Sequence, residues 1–239
     1  MQTLVDRDID RLVFEPPEPG CVLYLPGLPG GGSKIYDRSP YGNIGAITGA
    51  TWKKLPSGLW YLGFDGSDDY VDCGTAASLD MGTGDFSMLV WVYTSYPSDS
   101  NAGIISKKAG YFTNGYGLHT TSVAQAYWRI LVHAEDSASN QVQYNNDSNL
   151  AIDAWYLVAV TFDRDGDATL YIKGDLEEIK SASMSSVGDI DNAHILEIGE
   201  ANGRHHNGYI ALPRIYRRVL SALEIQSYFD REKHLFGVW

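Results

Sequence analysis

Four aspartates, Asp65, Asp68, Asp69 and Asp72, crowd the stretch "FDGSDDYVDCG" at residues 64–74. Carboxylates at this density can hold a hard cation, supply paired acids for proton transfer, or close an acidic turn between strands. The turn needs only Asp65 and Gly66 for the tight reversal, with Asp68 and Asp69 accepting from backbone N–H groups. An EF-hand is excluded at the other acidic turn, "DRDGDA": counting from Asp163, the sixth position is Ala168 where glycine is required, and the twelfth is Gly174 where glutamate is required. The six histidines are His119, His133, His194, His205, His206 and His234. Adjacent His205 and His206 cannot both face one metal from a strand, and no H-E-x-x-H, C-x-x-C or G-x-S-x-G pattern accompanies them.

A second group of residues has the chemistry to orient a ligand. In "YWRILVHA" (127–134), Trp128, Ile130, Val132 and Ala134 share one parity, while Tyr127, Arg129 and His133 share the other. The apolar set must look into the core, which leaves Tyr127, Arg129 and His133 free to meet a ligand. Gln143 occupies the outward parity of "NQVQYNN", and "NGRHHN" (202–207) is a donor-rich loop containing Arg204, His205, His206 and Asn207. The same residues also suit ordinary half-exposed sheet positions and a solvated turn.

The elements that must position these groups are short strands. "CVLYLPG", "LWYLGF" and "YVDCG" read as strands between glycine-rich turns. "DFSMLVWVYT" (85–94) is apolar on both parities, the pattern of a central strand covered on both faces. "WYLVAVTFDRDGDATLYIKG" (155–174) reads as a hairpin turning at "DRDGDA", with Val158, Val160, Phe162, Leu170 and Ile172 inward. Trp91, Trp128 and Trp155 read as core. One helix is predicted near the C-terminus, where Ser221 and Glu224 form a capping box. Leu220 and Ile225 are placed as its hydrophobic staple, and Leu223, Tyr228 and Phe229 as its buried side. Residues 1–19, ending in "EPPEP", read as an extended arm or linker ahead of a single domain over 20–239.

Composition agrees with an all-β domain: aromatics make up 12% of 239 residues, with 25 glycines to form turns. A net charge of -12 provides no basic stripe, which excludes nucleic acid and anionic lipid as expected partners. No apolar run reaches the ~20 residues of a membrane span, and the N-terminus shows no signal sequence. Cys21 and Cys73 fit buried thiols better than a disulfide.

The ordered set "YDRSPYGNIG", "LGFDGSDDYVDCG", "GDFSMLVWV", "IISKKAGYFTNGYGLH", "WYLVAVTFDRDGDATLYIKGDL" and "NGYIALPRIYRRVLSALEIQSYF" resembles the concanavalin A-like, laminin-G-type jelly-roll domains over residues 20–232. The resemblance implies an all-β fold of two antiparallel sheets with one short C-terminal helix. It also implies calcium at the sandwich edge, for which Asp37, Asp65 and Asp68 are the candidates. Many relatives carry an acid in the closing strand, as in G-x-I-D, where this chain has Ala211. That departure puts the metal in doubt.

Relatives that cleave β-glucans use E-x-D-x-x-E, which keeps two carboxyls ~5 Å apart on one strand face. The nearest run here, "GDIDNAHILEIGE", has the wrong spacing. "KKAGYFTNG" matches a lyase strand only superficially. A glycoside hydrolase or polysaccharide lyase is therefore the weakest reading, and the chain is expected not to be an enzyme. The main expectation is a lectin-like binding or adhesion module that holds a glycan or cell-surface polysaccharide, displayed on a virus or phage particle or another extracellular surface. The alternative is a virion or other assembly protein whose sandwich mediates homo-oligomer contacts without a sugar. In that reading the arm 1–19 or the apolar end "HLFGVW" packs on a neighbour, against the simpler option that the end folds back on its own sandwich.

Overall fold

The computed structural model describes all residues except 1–11, 13–16, 28–31, 97–100, 111–112, 125, 175–176 and 239. Two antiparallel sheets stack as a sandwich. The first runs in the order 178–183, 167–173, 155–162, 86–94, 207–216, 60–65 and 51–54, with 21–24 also paired to 207–216. The second runs 141–145, 127–135, 115–124, 102–108, 197–198, 70–72, 45–48 and 34–35, with 150–151 also paired to 127–135. The all-β jelly-roll expectation holds.

Between the sheets, Phe86, Met88, Val90 and Val92 of the first meet Trp128, Ile130, Val132 and Ala134 of the second. The period-2 pattern of these strands requires this placement, since burying one parity buries all its members. The other parity of 86–94 is buried as well. Leu89 and Trp91, with Leu157 and Trp155, form a second core on the outer side of the first sheet. The helix Ala222–Glu232 and the described part of the tail cover it with Ile225, Phe229, Leu235, Phe236 and Val238. The tail thus folds back on its own sandwich, its Phe236 ring stacking 4.1 Å from that of Trp91. Most of the arm 1–19 lies outside the described residues, although the Leu12 carbonyl accepts from Tyr24 Oη at 2.7 Å.

The helix begins as its sequence requires, with Ser221 and Glu224 each satisfying the other's backbone N–H. Its buried side is Ile225, Tyr228, Phe229 and Glu232. Leu223 is not part of it and is 82% exposed. Two residues before Ile225 is ~200° around the helix, so the two cannot share a face.

One irregularity decides a buried ion pair. Along 207–216, Ile210 faces the inter-sheet core and Ala211 the second core. The register then shifts between Ala211 and Arg214, and Leu212 has a positive φ of 52°. This bulge changes the parity, so Arg214 points outward under the helix and Ile215 returns to the inter-sheet core. Without it, the guanidinium would lie between the sheets. Cys21 and Cys73 are buried and free, as expected.

Candidate functional site

The second sheet presents its other parity outward, and here the structure forms a cleft. It is lined by Asn101, Lys108, Gly110, His119, Leu131, His133, Gln143, Ala201, Asn202 and Arg204, and encloses about 370 Å³ including space open to solvent. Strand register explains the convergence. His133 lies opposite Gln143 on one side and Gly117 on the other, and Leu131 lies opposite His119. Gly117 has no side chain because the His119 ring fills its place: a Cβ there would lie 2.6 Å from His119 Nε2. Gly103 has none because the backbone of Glu200 crosses above it, 2.0 Å from where a Cβ would stand. That close approach seats the small hairpin 200–205 over the sheet. Its turn at Asn202 and Gly203 has φ of 53° and 72°, the two positive values of a type I′ hairpin, and it projects Asn202 and Arg204 over the cleft.

Buried polar side chains lie beneath the cleft. Lys108 Nζ lies 3.0 Å from His133 Nε2 and 3.5 Å from Glu135 Oε2, and Glu135 is 1% exposed. Burial, reinforced by the nearby Lys108 charge, pushes the His119 and His133 imidazoles down to about 3, so both are neutral at pH 7. Burial also lowers the Lys108 ammonium to about 8 against the opposing pull of Glu135. His119 Nδ1 finds no partner among the described residues, although the side chain is buried. The cleft therefore combines neutral imidazoles, amides and two cationic side chains with apolar patches at Leu131 and Ala201.

Of the residues expected from the sequence, His133, Gln143 and Arg204 meet in this cleft. Tyr127, 46% exposed, and Arg129, whose Nε donates to Asn149 Oδ1 at 3.0 Å, share the strand face but lie outside the lining. His205 Nδ1 sits 3.4 Å from the Asp69 carbonyl, and Asn207 packs beside Gly66. His206 corrects the expectation. It is fully buried, its Nε2 3.1 Å from the Tyr93 carbonyl and its ring edge-on to Phe64, so it supports the sandwich and cannot reach a ligand. Asn202 opens the donor-rich loop expected from the sequence, while Lys108, His119 and Asn101 were not foreseen. The recurrence Gly117-x-His119 on an outward parity was the one available signal for them.

The aspartate turn sits elsewhere. Ligand oxygens of Asp65, Asp68 and Asp69 lie within 4.8 Å of one another. Asp65 Oδ1 accepts from Ser67 N and Asp69 Oδ2 from Asp65 N, so both the turn and the carboxylate cluster are present. Burial raises the Asp69 carboxyl, with Asp65 and Asp68 adding to the rise, and a cation would relieve that repulsion. Three carboxylates with four uncommitted oxygens suit a calcium ion completed by water. Asp37 does not belong to the group. Its two oxygens accept from Tyr24 N, Ser39 N, Ser39 Oγ and Asn43 N, which fixes the 37–43 loop. Nor does Ala211 remove a ligand: it packs under the helix, four residues or ~13 Å of strand from Asn207, the partner of Asp65.

Buried Glu197, 3.2 Å from His194 Nε2, is pushed up to about 8 by burial and by Glu200 and Asp72. A protonated acid near a second carboxylate is one requirement of glycosidic cleavage. None of these acids lines the cleft.

Comparison with known proteins agrees with this architecture. No curated protein matches the sequence. Among solved structures, the binding domain of Paraclostridial Mosquitocidal Protein 1 aligns with a TM-score of 0.67 at 17% identity, over 91% of this chain and 55% of that one. The binding domain of botulinum neurotoxin serotype G gives 0.65 at 20%, over 89% and 51%. The serotype D ligand-binding domain in complex with N-acetylneuraminic acid gives 0.65 at 15%, over 88% and 50%. The chain spans about half the length of these structures, and likeness at such identity establishes the fold alone. The family described as the concanavalin A-like lectin/glucanases superfamily, in its laminin-G-type branch, matches residues 65–226. With most of its length matched, two packed antiparallel sheets and a capped C-terminal helix, the chain belongs to the concanavalin A-like lectin/glucanase superfamily.

Proposed function

We propose that this protein is a non-catalytic, lectin-like module that holds a glycan in the cleft on the outer face of the second sheet. The observation carrying this reading is the convergence of three amides, two imidazoles and two cations on a cleft with an apolar floor patch, on the sheet face that the helix leaves open. Sugars present hydroxyls and C–H faces together, and such a mixture of donors, acceptors and apolar contacts is what orients them. The similar solved structures are binding domains, one of them holding N-acetylneuraminic acid, which supports a glycan partner. The described lining residues include no carboxyl pair of the kind glycosidic cleavage requires.

The test is retention on an immobilised glycan panel. Gln143→Ala combined with Asn202→Ala should lower retention by about tenfold or more, the effect of losing two ligand hydrogen bonds, with the melting temperature held. Undiminished retention by the double variant overturns the reading.

A second reading, assembly through homo-oligomer contacts on a particle, is favoured by one observation: Ile179 is 62% exposed on the sheet-edge strand 178–183. Light scattering that finds a monomer removes it. Calcium at Asp65, Asp68 and Asp69 is proposed as a brace for the sandwich edge.

A further inference from the structure

We infer that Asn202 and Gly203, at the tip of the hairpin over the cleft, form a spontaneous modification site. The Asn202 side chain closes onto the Gly203 amide nitrogen, releases ammonia and opens as aspartate or isoaspartate. The cleft thereby loses an amide and gains an acid as the protein ages, a consequence for binding that rests on the glycan reading above.

The chain contains three Asn-Gly pairs, 114–115, 202–203 and 207–208, and glycine is the one residue with no side chain to shield its own nitrogen. The structure separates the three. Gly115 is buried as a strand position paired with Lys108 and Glu135, and Gly208 as one paired with Phe64 and Thr94. A Cβ on Gly115 would stand 2.1 Å from the Lys107 carbonyl oxygen, and one on Gly208 2.0 Å from that of Tyr93. The Asn114 side-chain amide is also tied, donating to the Asp191 carbonyl. At Gly203 a Cβ would meet nothing within 4 Å, and Asn202 and Gly203 are both exposed. Their turn is closed by two paired positions, Glu200 with His205 and Ala201 with Arg204, so the tip can open while both large sheets stay intact.

Glu200 supplies the base. Its Oε1 accepts from Gly203 N at 2.9 Å, so a carboxylate already holds the proton that the attacking nitrogen must lose. The bond from Gly203 N to Asn202 Cγ forms and the Cγ–Nδ2 bond breaks. The proton passes through Glu200 to the departing amide nitrogen, which leaves as ammonia. Water then cleaves the cyclic imide, at Cγ to give aspartate or at the backbone carbonyl to give isoaspartate, which adds a methylene to the main chain. Either product carries a carboxylate in place of an amide that lines the cleft.

The full chain is aged in mildly alkaline buffer, and all three pairs are followed by peptide mass spectrometry that distinguishes aspartate from isoaspartate. The guanidinium-unfolded chain is the reference. Leaving a sheet costs at least one hydrogen bond, so Asn202 should convert about fivefold or more faster than Asn114 and Asn207, while the unfolded chain converts all three alike. Glu200→Gln keeps an acceptor for Gly203 N but removes the base, and should slow Asn202 by about tenfold or more in the folded chain alone. The converted fraction, separated by anion exchange, should be retained about fivefold less than fresh protein on the immobilised glycan panel. Equal conversion at the three pairs overturns the inference, as does an intact Asn202 once the unfolded chain has converted, or a rate unchanged by Glu200→Gln. Equal retention of fresh and converted protein overturns the effect on the cleft. If even fresh protein is not retained, the glycan reading fails and the modification site stands.

Discussion

The outer faces of the two sheets each bury a cation against a glutamate, and the two sites are finished differently. Under the helix, Arg214 Nη2 donates to Glu232 Oε1 at 2.7 Å and to Tyr24 Oη at 3.2 Å, its guanidinium lying 4.5 and 4.9 Å from the Tyr24 and Tyr228 ring centres. Glu232 Oε2 also accepts from Trp91 Nε1 at 2.7 Å. On the second sheet, Lys108 Nζ lies 3.5 Å from Glu135 Oε2 and 3.0 Å from His133 Nε2, which is itself 3.2 Å from that oxygen, and the neighbouring His119 Nδ1 has no partner among the described residues. Unsatisfied buried polar atoms cost stability, and folded proteins keep few of them. The saturated pair fastens a helix to a sheet. The second group lies beneath an open cleft.

The largest expected effect breaks the saturated pair. Glu232→Ala leaves Arg214 charged and buried without its carboxylate, so the unfolding free energy should fall by about 3–5 kcal/mol while any glycan affinity of the surviving fold is kept. A loss below about 1 kcal/mol would show that the pair is not what holds the helix. Gln143→Ala combined with Asn202→Ala should behave oppositely, weakening glycan retention at unchanged stability.

Acid should act more gently. The imidazoles of His119 and His133 are lowered to about 3 and that of His206 to about 4, all by burial first. An unfolded chain takes up these protons below about 6.5 and the folded one does not, so stability falls as pH drops from 6.5 toward 4. Glu197, raised to about 8, works the other way between 8 and 4.5, because the folded state holds its proton first. Three histidines outweigh one glutamate. Urea midpoints should therefore decline on the acid side of about pH 6.5, more steeply in Glu197→Gln, and a flat profile would contradict the buried neutral imidazoles.

Smaller still is the effect of calcium. It should raise the melting temperature modestly and leave sugar affinity unchanged, and Asp68→Asn should remove the rise. A calcium-dependent change in sugar binding would show that the hairpin 200–205, whose His205 touches the Asp69 carbonyl, couples the two sites. Smallest is Leu223→Gln, within about 0.5 kcal/mol of neutral because the side chain is 82% exposed.

Much of this was legible in the residues. Period-2 runs such as Trp128, Ile130, Val132 and Ala134 name their own buried face, because one strand register buries or exposes a whole parity at once. The two-sided burial of 86–94 and the Ser221–Glu224 cap are similarly local in origin. His133 and Gln143 could be placed on an outward face by parity alone. What parity could not show is which outward residues meet across strands distant in sequence. Lys108, His119 and Arg204 come together only through the pairing of 102–108 with 115–124 and the seating of the hairpin over Gly103. Nor could it show that a bulge at Leu212 would turn Arg214 toward the helix, or that His206 would point inward beside Phe64. Strand, turn and cap follow from interactions a few residues long and can be read from sequence. The cleft depends on long-range register and on a loop crossing a missing side chain, which only the folded chain decides.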